Sequence, residues 1–225
     1  MTVDATERLH ELAREIKPHL RGWLHLAVFP LSLAAGVVLV ALSPTPEVAL
    51  ATAVFAGTSS LLFGVSALYH LRHWSPRWDG LLRRFDHSNI FLLIAGTYTP
   101  FAIALLPSGD AHVLLGLVWG GALVGIAFRV LWIGAPRWLY LPVYVALGWS
   151  AVFWLGDFLS AAGPAAFTLI VAGGCLYSLG GLVYGLRRPN PAPRWFGFHE
   201  VFHSLTIAGF VVHYVGISMV VYAAR

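Results

Sequence analysis

Residues 48–70, VALATAVFAGTSSLLFGVSALYH, contain no Asp, Glu, Lys or Arg and end on His70. Coiled as an α-helix at about 1.5 Å per residue, the stretch is long enough to cross the roughly 30 Å hydrocarbon core of a bilayer. Six further stretches are also long and predominantly apolar enough to cross, at 22–43, 86–107, 112–132, 138–157, 164–185 and 198–222. The breaks between them read as turns: Ser43-Pro44-Thr45-Pro46, Pro107-Ser108-Gly109-Asp110, and a stiff basic loop from Arg187 to Arg194. Pro30, Pro100 and Pro142 fall inside spans, where membrane helices accept them as kinks. Gly64, Gly96, Gly125, Gly181 and Gly209 are expected where neighbouring helices approach closely.

Composition supports the same reading. Of the 225 residues, 58% are apolar and 11% are charged, against about 25% charged in a soluble domain. So few charges cannot cover a water-facing surface, and no stretch is left over for a soluble module. The lone Cys175 excludes an internal disulfide. The expected fold is all-α, a seven-transmembrane-helix bundle at 22–225, preceded by a short cytoplasmic amphipathic segment at 1–21. In that segment Leu9, Leu12, Ile16 and Leu20 share one helical face, which suits a helix lying along the interface. Its mixture of acidic and basic residues is unlike a cleavable signal.

Charge gives the orientation. Arg8, Arg14, Lys17 and Arg21 precede the first span, and Arg72, Arg77, Arg83 and Arg84 lie between the second and third. Arg129 and Arg137 flank the fourth turn, and Arg187, Arg188 and Arg194 sit between the last two spans. With seven crossings all thirteen fall on one side, leaving only Arg225 opposite. Basic residues favour the cytoplasm, so the N-terminus is expected inside and the C-terminus outside. The net charge of +4 then needs no nucleic-acid partner.

Ionisable groups within a bilayer are costly and mark functional sites. The second span ends inside at Ser66-Ala67-Leu68-Tyr69-His70, the third begins inside at Asp86, and the seventh begins inside with His199-Glu200-Val201-Phe202-His203. Topology alone therefore brings His70, Asp86, His199 and His203 to one depth. His199 and His203 are one helical turn apart and can share an ion, and Ser66 is one turn deeper than His70. Three imidazoles suit zinc and leave it a fourth position, as in catalytic zinc sites. Asp86 is placed to handle a proton and Ser66 to hydrogen-bond beside the metal.

His199-Glu200-x-x-His203 also spells the helix motif of zinc metalloproteases, in which the Glu is the base. On a helix, though, Glu200 points about 100° away from His199. The other histidines read as structural: His213 lies about 21 Å beyond His199 along the helix, His87 points away from Asp86, His73 is in a basic loop, His25 is near the interface, and His112 opens the fourth span. The nine Trp and eight Tyr read as interfacial belts and packing.

Three segments carry a family likeness: Ser66-x-x-x-His70; residues 85–101, FDHSNIFLLIAGTYTPF; and His199-x-x-x-His203. In them the chain resembles the haemolysin III family, the bacterial branch of the progestin and adipoQ receptor family that includes the adiponectin receptors. The likeness runs from the first span to the last. It implies zinc on His70, His199 and His203, with Ser66 and Asp86 beside the metal. It also implies a place among membrane hydrolases that include the alkaline ceramidases, hence hydrolysis of a lipid amide or ester at the cytoplasmic face of a bacterial inner membrane. Hormone binding, which belongs to the extended animal receptors, is not implied. The alternatives are a regulator or sensor of membrane lipid state with structural zinc, a pore-forming haemolysin, and an intramembrane metalloprotease. Polar faces along several helices, which a pore needs, are missing from the sequence.

Overall fold

The computed structural model describes residues 18–223. Most of the expected amphipathic segment, 1–17, lies outside them. The described chain is helical throughout: α1 (Trp23–Ala41), α2 (Pro46–Leu71), α3 (Pro76–Leu105), α4 (Ser108–Leu131), α5 (Arg137–Gly148), a 3-10 turn (Ser150–Trp154), α6 (Leu155–Leu186) and α7 (Phe198–Ala223). Among the described residues six helical runs are long and apolar enough to cross a membrane, with Arg137–Leu186 counted as one run of 50 residues.

Local chemistry sets the helix boundaries. Thr45 caps α2 by accepting the Val48 N–H at 3.3 Å, and Pro46 occupies the first turn, where no N–H partner is needed. α3 also opens on a proline, Pro76, ten residues ahead of the start expected from hydropathy. The polar turns holding Arg77, Arg83 and Arg84 are thus helix rather than loop. Hydropathy marks where a helix enters an apolar medium, not where it begins.

The 50-residue run is folded back on itself. Arg137, its first residue, donates from Nη1 to the carbonyl of Tyr184 near its end, at 3.2 Å, and lays its guanidinium over the Tyr184 ring. The reversal falls at Gly163, whose φ of 70° and ψ of 168° interrupt α6, directly before Pro164. A second break, between α5 and the 3-10 turn, leaves backbone groups that need partners in an apolar setting. Tyr98 of α3 supplies them, donating to the Gly148 carbonyl at 2.7 Å and accepting the Ala151 N–H at 3.1 Å.

Sequence neighbours pack together through most of the bundle, and α7 closes it by resting on α6, α1 and α3. Tyr214 of α7 donates to the Ala35 carbonyl of α1 at 3.1 Å. The core gathers Phe55, Phe63, Phe91, Phe101, Leu114 and Phe210 from α2, α3, α4 and α7. Gly96 shows why a small residue is needed where α2 meets α3: a Cβ there would fall 2.1 Å from Thr58 Oγ1. Gly64, Gly125 and Gly209 are similarly crowded by a facing ring, whereas Gly181 has ordinary space.

Candidate metal centre

The closing of α7 onto the bundle brings its first two turns against the end of α2. His70, His199 and His203 meet there, each offering a ring nitrogen within 4.8 Å of the others. The Nε2 atoms of His70 and His199 are 3.3 Å apart. Two nitrogens of a tetrahedral site with Zn–N distances of about 2.0–2.1 Å stand about 3.3 Å apart, so this pair already has ligand spacing. His70 and His203 are buried and His199 is half-buried. This cluster could hold a metal ion, and its all-imidazole donor set suits zinc.

Asp86 of α3 brings Oδ2 to 3.7 Å from His70 Nε2. Ser66, buried one turn deeper on α2, borders the same interior space as Asp86. The five residues selected from sequence are therefore together at one place.

Glu200, between the two α7 histidines, is directed elsewhere. It has no exposed surface; Oε2 accepts the Gly197 N–H at 2.8 Å, capping the helix start, and Oε1 takes the Arg21 guanidinium. With both oxygens engaged, it lacks the freedom a metalloprotease base needs. The segment before α1 reaches this point by lying on the α6–α7 loop, where the N–H groups of His19 and Leu20 donate to the carbonyls of Arg194 and Trp195 at 3.0 and 3.2 Å.

The remaining histidines divide. His213 bonds the Ile170 carbonyl of α6 at 3.0 Å, as expected of a helix–helix contact. His87 turns to Arg129, which also stacks over Tyr140. His73 and His112 are exposed. His25 is different from its sequence reading: it is 2% exposed and its ring lies flat on that of His203, centroids 3.8 Å apart and planes 10° apart. A lone histidine near a helix start gives no hint of this, because the contact depends on α1 and α7 being neighbours.

The cluster opens on a cavity of about 170 Å³ between the helices, part of it continuous with the outside. Ser66, Asp86, His25, His199 and His203 line one end, and Phe101, Ile170 and His213 the other. Between His199 and His213 the cavity follows α7 for about 21 Å. Its walls are mainly aliphatic and aromatic side chains. An elongated apolar space that ends on convergent polar groups suits a long-chain amphiphile.

Comparison with known proteins gives a consistent picture. The sequence profile of the family described as "Haemolysin-III related" matches residues 13–214. A Hemolysin-3 homolog from Bacillus subtilis (strain 168) is 33% identical over 68% of this chain and 69% of its own length. Hemolysin-3 from Bacillus cereus is 29% identical over 80% of this chain and 83% of its own. An adiponectin receptor protein from Drosophila melanogaster is 31% identical over 69% of this chain and 39% of its own.

Proposed function

Because the chain belongs to the haemolysin III family, a group of membrane proteins, we propose that it is a zinc-dependent hydrolase of a lipid amide or ester. The carrying observation is the position of the His70–His199–His203 cluster and Asp86 at the end of a long apolar cavity. Zinc held there would polarise a carbonyl and activate water. The chain's own residues do the rest. The apolar walls take the acyl chain and exclude water, and the cavity end sets the carbonyl against the imidazoles. Asp86 accepts the proton of the attacking water and delivers it to the leaving amine or alcohol, and Ser66 orients the Asp86 carboxylate.

The topology belongs to the same proposal. Straight, 50 helical residues would extend about 75 Å, more than twice the hydrocarbon thickness. The contact between Arg137 and Tyr184 supports counting the run as two crossings, for seven in all. With basic residues inside, the N-terminus and the metal cluster face the cytoplasm of a bacterial inner membrane, where membrane lipids are the partners.

One observation favours a second reading. Asp86 Oδ2 is close enough to His70 to complete a four-ligand, closed site, which would make zinc a staple between α2, α3 and α7 in a non-enzymatic regulator or sensor of lipid state. Fatty-acid release from a short-chain ceramide distinguishes the two. Hydrolysis should be seen with wild type and fall at least a hundredfold in Asp86→Asn. Equal release by wild type and variant, or none by either, would reject the hydrolase.

A further inference from the structure

His25 has no role in that chemistry, yet it is built into the site. Its ring is sandwiched between helices, stacked on His203 and meeting Phe63 edge-on at 5.1 Å. Neither of its nitrogens has a hydrogen-bond partner among the described residues, although both are fully buried. Neutral imidazole carries one N–H and one lone pair, and buried polar groups as a rule are paired. His25 also lines the cavity beside Ser66, Asp86 and His199. A partner supplied by whatever enters the cavity would resolve the deficit.

The stacking decides what kind of partner this is. Imidazole binds a metal in its own ring plane. The His25 and His203 planes are nearly parallel and stacked, so the in-plane lone pairs of the two rings do not converge on one point. His25 thus cannot join His203 on one ion. Resting on the reading of the cluster as a zinc site, we propose that His25 is a ligand-binding residue whose ring N–H donates to an oxygen of the bound lipid. The acceptor class is a carbonyl or a carboxylate: the substrate's amide or ester oxygen, or the fatty acid released from it.

Cobalt-loaded protein provides the test, because its visible absorption reports both metal occupancy and entry of a carboxylate. Laurate is the probe, with thermal unfolding measured in parallel. His25→Leu should keep its cobalt and bind laurate about tenfold or more weaker, the effect of one hydrogen bond to a charged acceptor. His25→Gln, which restores an N–H, should recover most of the affinity. Unchanged laurate affinity in both variants would reduce His25 to packing, and loss of cobalt from His25→Gln would make it part of the metal's support; either overturns the proposal. Cobalt in the wild type without a laurate response overturns this inference alone. No cobalt uptake by the wild type overturns the zinc reading, and the inference with it.

Discussion

Arg21 reaches across from the chain before α1 to pair with Glu200 on α7, a carboxylate with no exposed surface that sits between two of the clustered histidines. The pair ties the chain's entry into the bundle to the helix that carries His199 and His203. Its two ends are unequal: the Arg21 side chain keeps 18% of its surface in contact with solvent, and Glu200 keeps none. Arg21→Met would strand a buried charge and should cost about 3–5 kcal/mol. Glu200→Gln retains an acceptor for Gly197 and strands only the more exposed partner, so its loss should be smaller. The double variant should be more stable than Arg21→Met. Thermal unfolding in detergent checks the order, and equal losses would show that desolvation of Glu200 does not dominate.

Gly163 should be needed for its conformation, not for space. Nothing lies within 4 Å of a Cβ placed on it, but its φ and ψ are in a region almost restricted to glycine. Gly163→Ala should therefore destabilise by about 1–3 kcal/mol. Gly57 is the control: it also has open space but is helical, so Gly57→Ala should be neutral or slightly stabilising. The same unfolding assay reads both.

At Gly96 the constraint is contact. Gly96→Ala drives a methyl into Thr58 and should cost about 1–3 kcal/mol by overpacking. Thr58→Ala in the same chain removes the Oγ1 and Cγ2 contacts and should return part of that loss. Failure of the second substitution to help would mean that the backbones of α2 and α3, not the Thr58 side chain, set the approach.

The proposed seven crossings, with the N-terminus inside, predict the side on which each loop lies. Alkaline phosphatase fused after Pro44 should be active, and green fluorescent protein fused after Pro189 should fluoresce. The reverse pattern would invert the cluster to the outer face.

Much of this structure could be read from the sequence because the bilayer demands so much of a helix. Length and apolar composition located the runs, and the end of the second span and the starts of the third and seventh placed His70, Asp86, His199 and His203 at one depth. The gap between the stretches at 138–157 and 164–185 left room for the reversal before Pro164, although no turn residues were singled out there. The early start of α3 was not, since Arg77 to Arg84 look like loop until Pro76 is seen to open a helix. The break after Gly148 was hidden as well: Tyr98 satisfies it from another helix, and no local residue signals it. The contact of His25 with His203 was hidden for the same reason, its partner being 178 positions away on a helix that joins α1 only when the bundle closes.

Metal analysis of detergent-purified protein tests the central claim most directly. Wild type should carry one zinc per chain, and His70→Ala, His199→Ala and His203→Ala should each lose most of it while Asp86→Asn retains it. Wild type purified without zinc and unable to take it up, or three histidine variants that bind zinc as wild type does, would contradict the assignment of this cluster.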